Sequence, residues 1–115
     1  MRDLVPQIIL KFGRIPVFRI AELAEYKQLL RQKLSEEVEE FLESESIEEI
    51  ADIIEVLEAI CNSNSYKLKD ILNIKKHKKD TNGAFDNKIG FCRIYKSYYI
   101  KIVKTKVLDI MMPLT

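Results

Sequence analysis

Residues 33–60 read KLSEEVEEFLESESIEEIADIIEVLEAI, crowded with acids and holding no base after the first letter. Apolar residues recur three and four positions apart, the period of a helix, on either side of an interruption at SES, residues 44–46. Two helices are expected, one from about Ala21 to Glu43 and one from Ser46 to about Cys61. Ser46 and Glu49 have the S-x-x-E spacing of a capping box, which would open the second helix. A break this short returns the chain on itself, so the pair reads as an antiparallel hairpin and the fold class as all-α. Such a density of acid on consecutive helices is either solvated surface or a holder of cations.

Helical geometry separates the two. At 100° per residue from Glu22, the apolar stripe of the first helix spans roughly 40° to 160° and contains Leu23, Tyr26, Leu30, Leu34, Val38 and Phe41. Glu25, Glu36, Glu39 and Glu43 fall opposite, near roughly 260° to 320°, on the solvent side. Glu37, at about 60°, lies inside the stripe, and Glu40, at about 0°, on its margin. From Ile47, the second helix has an apolar arc of roughly 180° to 340°. Glu48, Glu55 and Glu58 fall outside it, Glu49 inside it at about 200°, and Asp52 beside it at about 140°.

Each helix thus carries two acids, three residues apart, on or beside its buried face. At 1.5 Å per residue, Glu40 and Glu49 stand about 6 to 8 Å from the turn, and Glu37 and Asp52 about 9 to 12 Å. In an antiparallel hairpin the pairs meet at matching heights. Two like charges about 5 Å apart repel by roughly 3 kcal/mol at an effective dielectric of 20, so four converging carboxylates call for protons or a cation. All-oxygen ligands suit a hard ion, Mg²⁺ or Mn²⁺. Singly, each acid has a structural reading: Glu49 as partner of Ser46 in the cap, Glu37 as partner of Lys33 one turn back. The matched heights favour a metal site made by Glu37, Glu40, Glu49 and Asp52.

The remaining sequence bounds this reading. A length of 115 residues suits one domain, and 47% hydrophobic residues suffice for a core. MRDLVPQIILKFG lacks the apolar core and cleavage site of a secretory signal, and no apolar run is long enough to span a bilayer. Cys61 and Cys92 are expected to be free thiols in a reducing, cytoplasmic setting. The net charge of +1 is uneven: residues 91–115 carry +4 and the other ninety carry −3. RDLVPQIILKFG is expected to form a short first helix, capped by Asp3, with Pro6 in its first turn and Gly13 ending it. RIPVFRI reads as extended, because Pro16 biases Ile15 away from helix. YKLKDILNIKKHKK, after the hairpin, reads as a third, basic helix stopped by DTNGAF. The tail 91–115, with YYIKIVKTKV partly alternating, leans to strand. Residues 1–90 form the expected helical domain.

The ordered set of motifs resembles a known family. EEVEE (36–40) followed by EIAD (49–52) is similar to the EExxE…ExxD signature of the MazG-like all-α nucleoside triphosphate pyrophosphohydrolases. RDLVPQII, GRIPVFRI and NGAFDNKI resemble segments of its phosphoribosyl-ATP pyrophosphohydrolase-like branch. The resemblance covers residues 2 to about 90. It implies a helical dimer or higher oligomer, Mg²⁺ held by Glu37, Glu40, Glu49 and Asp52, and cleavage of a nucleotide between its α and β phosphates. Arg2 and Asp3 fall on the family's N-terminal RD, and Lys78 in its basic segment. Two positions depart from the pattern: Leu4 stands where the family has Lys, and Asn82 where it has an Arg that grips phosphate in bidentate fashion.

The expected mechanism is metal-assisted phosphoanhydride hydrolysis, with Glu36 or Glu37 as the base for the attacking water. Arg2, Asp3, Lys75, Lys78 and Asn82 are the candidate substrate contacts. The alternative is a diverged, non-catalytic helical dimerisation module, which Leu4 and Asn82 favour and the four inward acids oppose. Nucleic-acid binding is a weaker reading, because the acidic hairpin repels phosphate backbones. The wide apolar arc of the second helix, with Leu29 and Leu42 at the edges of the first stripe, predicts a homodimer packed as a four-helix bundle.

Overall fold

The computed structural model describes residues 1–90 and Ile94; the strand expected in the tail 91–115 lies outside the described residues. Four helices follow one another: α1 (Val5–Lys11), α2 (Leu23–Ser44), α3 (Ile47–Ser63) and α4 (Leu68–Asn82). No strand occurs among the described residues. The chain divides into two compact units, Met1–Asp80 and Thr81–Thr115.

The hairpin is made by a two-residue link. Glu45 turns into the left-handed region at φ 52°, and its amide bonds Phe41 O. Ser46 then returns to extended backbone and α3 begins. The Ser44 hydroxyl organises the corner: it donates to Glu40 O (3.0 Å) and accepts from the Ser46 amide (3.3 Å). That arrangement replaces the expected capping box. Ser46 does occupy the N-cap position, but its side chain makes no capping bond. Its amide, which the box assigns to Glu49, is taken by Ser44.

α1 is shorter than its sequence pattern predicts. Leu4, not Asp3, is its N-cap residue, and no side chain caps it. The Val5 amide bonds instead to Arg2 O at 3.1 Å, so a backbone turn does the work expected of the Asp3 carboxylate. Pro6 sits in the first turn, where a missing N–H costs nothing. Gly13, at φ 78°, ends the element and donates to Leu10 O. Residues 14–22 are irregular. Arg19 fastens this segment to the start of α2 through a two-pronged pair with Glu25.

α4 runs through the DTN that was expected to stop it and ends at Gly83, φ 83°. Among the described residues no helix is long and apolar enough to cross a membrane. The interior is small. Only Val56 on α3 is a buried apolar side chain among the described residues, and the one buried charged residue is Glu37 on α2.

Candidate metal centre

Glu37 is 5% exposed, so its carboxylate has left bulk water. The α2 wheel puts it among apolar side chains, and the packing of α3 covers it. One carboxylate oxygen from each of Glu37, Glu49 and Asp52 lies within 4.8 Å of the other two. Glu49 and Asp52 are both half-buried, and their spacing of three residues sets them on one face of α3. Lys33, one turn before Glu37, reaches Glu37 Oε1 at 3.1 Å and Glu36 Oε2 at 3.5 Å. Arg2, from the turn before α1, bonds Asp52 Oδ1 at 2.6 Å.

Two oxygens remain unmatched. Glu37 Oε2 and Glu49 Oε2 are buried and have no hydrogen-bond partner. An unpartnered buried polar atom costs about 1–3 kcal/mol, and more when charged. The electrostatics divide the pair. The bond from Lys33 holds the Glu37 carboxyl below its ordinary range, against the opposing effect of burial. Burial pushes the Glu49 carboxyl up, and Glu40 and Glu37 beside it push the same way. The Lys33 ammonium is in turn raised by its bond to Glu37.

These residues fit a hard divalent cation. The donors are all carboxylate oxygens. Hard divalent cations take oxygen ligands of this type. The two orphaned oxygens are what such an ion would satisfy. Glu40, expected as the fourth ligand, is exposed and stands outside the triad, although it is near enough to Glu49 to raise its pKa.

A cavity of about 600 Å³ adjoins Glu37 and Asp52. Its apolar wall includes Phe18, Tyr26, Leu30, Val56 and Ala59, and Arg2, Asp3, Arg19 and Lys33 line it as well. Phe18 and Arg19 come from the irregular segment, a contribution that no helical period announces. Glu55 also lines it. The wheel puts Glu55 on the solvent side, and it is exposed there as well as lining the cavity. The other candidates lie elsewhere. Glu36 is exposed on α2 beside Lys33, Lys75 and Lys78 are exposed on α4, and Asn82 closes α4.

No protein-family model, no curated protein and no solved structure matches the chain.

Proposed function

We propose that the chain is a metal-dependent nucleotide pyrophosphohydrolase, which cleaves the α–β phosphoanhydride of a nucleoside triphosphate or phosphoribosyl-ATP-like substrate. The observation that carries this reading is the pair of orphaned oxygens, Glu37 Oε2 and Glu49 Oε2, in a carboxylate triad that opens onto a cavity. Glu37, Glu49 and Asp52 would hold Mg²⁺ or Mn²⁺, which when bound supplies charge neutralisation for phosphates and an acidified water. Glu36 and Glu37 are the two candidates for the base that takes the proton of that water: Glu37 stands at the triad, and Glu36 is joined to it only through Lys33. Arg2 and Lys33 bring positive charge to the cavity end that meets the phosphates. The wall of Phe18, Tyr26 and Leu30 suits a flat base and its sugar.

A second copy belongs to this reading. A chain with one buried apolar side chain among its described residues leaves most of its apolar area in water. Leu42, Ile47, Ile50 and Ile54 are all exposed on the hairpin. Covering them against a partner hairpin gives a two-fold, four-helix arrangement. Light scattering tests it: a single species of 13.5 kDa at micromolar concentration would refute the dimer.

Turnover is tested by pyrophosphate release from a nucleotide panel with Mg²⁺, with and without EDTA. Release that depends on the metal and is lost in Glu37→Gln supports the reading. Absence of release across the panel, from a folded protein that still dimerises, favours the non-catalytic module instead.

A further inference from the structure

Arg2 and Lys33 both reach the triad, but they are held differently. Lys33 belongs to the same helix as Glu37, and the spacing of four residues fixes their contact whatever else moves. Arg2 belongs to a separate segment fifty positions from Asp52, and its contact is tertiary. The bond uses Nη2 of the guanidinium on Oδ1 of Asp52. Both side chains keep solvent access, 60% for Arg2 and 37% for Asp52, so the bridge can open without exposing an interior. Exposed pairs of this kind shift an equilibrium by about fivefold or less. Arg2 also lines the cavity, so its guanidinium stands where an anionic ligand would enter.

Resting on the metal-dependent reading above, we propose that Arg2 is a stand-in cation: in the metal-free protein it occupies Asp52 in competition with the divalent ion, and the ion's binding releases the guanidinium to take the substrate's phosphate. Charge supports the exchange. Arg2 and Asp52 are joined through a single oxygen, Oδ1, so an ion that takes this oxygen competes with the guanidinium directly. The ion's two positive charges beside Asp52 then repel the guanidinium, most readily where a cation is least fixed, at Arg2. A released guanidinium offers a planar fork of N–H donors that matches two phosphate oxygens, which Lys33 cannot do. The turn that carries Arg2 also starts α1, through its carbonyl bond to the Val5 amide, so the release changes the constraint on α1.

The test is titration of the metal-free protein with Mn²⁺, followed by inorganic pyrophosphate, with binding read calorimetrically rather than through turnover. Arg2→Gln is expected to bind Mn²⁺ about two- to fivefold more tightly than the wild type and to lose most of the metal-dependent gain in pyrophosphate affinity. Arg2→Lys, which keeps the charge without the fork, is expected to match the wild type for Mn²⁺ and to fall short for pyrophosphate. In the Asp52→Asn background, Arg2→Gln is expected to add no further gain in Mn²⁺ affinity, because the competition is gone. Wild type that binds Mn²⁺ together with Arg2→Gln that binds it equally or more weakly overturns the stand-in role and leaves the metal site intact. If Arg2→Gln loses its helical circular dichroism, the comparison rests on Arg2→Lys, and undiminished pyrophosphate binding there overturns the phosphate role. Wild type that binds no Mn²⁺ removes the metal site and this inference together.

Discussion

α3 and α4 are helices of similar length with opposite fates. α3 packs along α2, contributes Val56 to the interior and sets Glu49 and Asp52 against Glu37. Among the described residues α4 has no fully buried side chain: Ile71 is half-buried, and Leu72 and Ile74 are exposed beside a row of lysines. Both follow the helical period, so the period does not distinguish them. What does is a neighbour. Where a second helix strips water from an ionisable group, its protonation, partners and affinity for ions become properties of the packing; the lysines of α4 are exposed. Chemistry is therefore expected in the hairpin and not on α4.

The largest effect expected of that contrast is on turnover. Removing one preorganised electrostatic group from a site costs about 10²–10³-fold, and Glu37→Gln and Asp52→Asn, which would each remove a ligand of the ion, are expected at the upper end of that range. Glu43→Gln and Glu48→Gln, on the solvent side of the same helices, are expected to stay within about twofold, as surface substitutions do. Lys75→Gln on α4 is expected to behave like them. A hundredfold loss in Lys75→Gln, measured as pyrophosphate release, would bring α4 into the site and end the contrast.

Next comes assembly, which asks whether the apolar face of α3 differs in kind from that of α4. Ile54 is exposed on α3 and Leu72 on α4. If the hairpin covers Ile54 in a two-fold dimer, Ile54→Asp removes apolar burial twice, at about 1.5 kcal/mol each, and weakens association more than a hundredfold. Leu72→Asp is expected to leave the dimer intact. Sedimentation at a series of concentrations reads both; the same shift in the two variants would show that α4 also forms the interface.

A third effect is thermodynamic. Free Mg²⁺ or Mn²⁺ at a hundred times its dissociation constant is expected to add about 2.7 kcal/mol, since the ion binds the folded triad only. Hydrogen exchange localises the gain: protection is expected to rise in α2 and α3 and to stay unchanged in α4. A melt unmoved by millimolar ion refutes the site, and protection spread evenly over α4 refutes its location.

How much of this was legible before folding depends on the residue. Glu37 was, because a carboxylate at 60° on an apolar stripe has nowhere to go but inward. Glu49 and Asp52 were, because the two-residue link keeps the heights of the helices matched. Glu40 was read at the margin of its stripe, and it stands there, exposed and beside Glu37 and Glu49. Glu55 was read as surface and is exposed; its share in the cavity lining depends on other elements, which a wheel of one helix leaves out. The Arg2–Asp52 bond, fifty residues apart in sequence, has no periodic signal; only the resemblance of the RD pair to a family motif drew Arg2 into the site. The capping box failed for a local reason, since Ser44 offered the Ser46 amide a nearer acceptor than Glu49.

The smallest effect is on pH, and it reads the contrast from inside the hairpin. In the metal-free protein Glu49 and Glu37 are displaced in opposite directions, so their contributions to stability have opposite signs. Glu49 has its folded pKa raised, chiefly by burial, so its ionisation disfavours folding. As pH falls from neutral through that raised value, the folded state takes up the proton first and stability rises, the gain being complete near the ordinary glutamate value of about 4.3. Glu37 has its folded pKa lowered, chiefly by Lys33, so its ionised form favours folding. That contribution is present in full above about 4.3 and is lost as pH falls further, through the lowered value. Metal-free melting temperature is therefore expected to pass through a maximum in mild acid. Glu49→Gln should flatten the limb above the maximum and leave the limb below it, and Lys33→Gln should do the reverse. Saturating Mg²⁺ should invert the upper limb, because ligating carboxylates must be deprotonated and the ion then favours higher pH. A melting temperature that falls steadily from pH 7 downward, without metal and unchanged by Glu49→Gln, would mean that Glu49 is solvated like the lysines of α4, and that the packing of α3 on α2 has not set it apart.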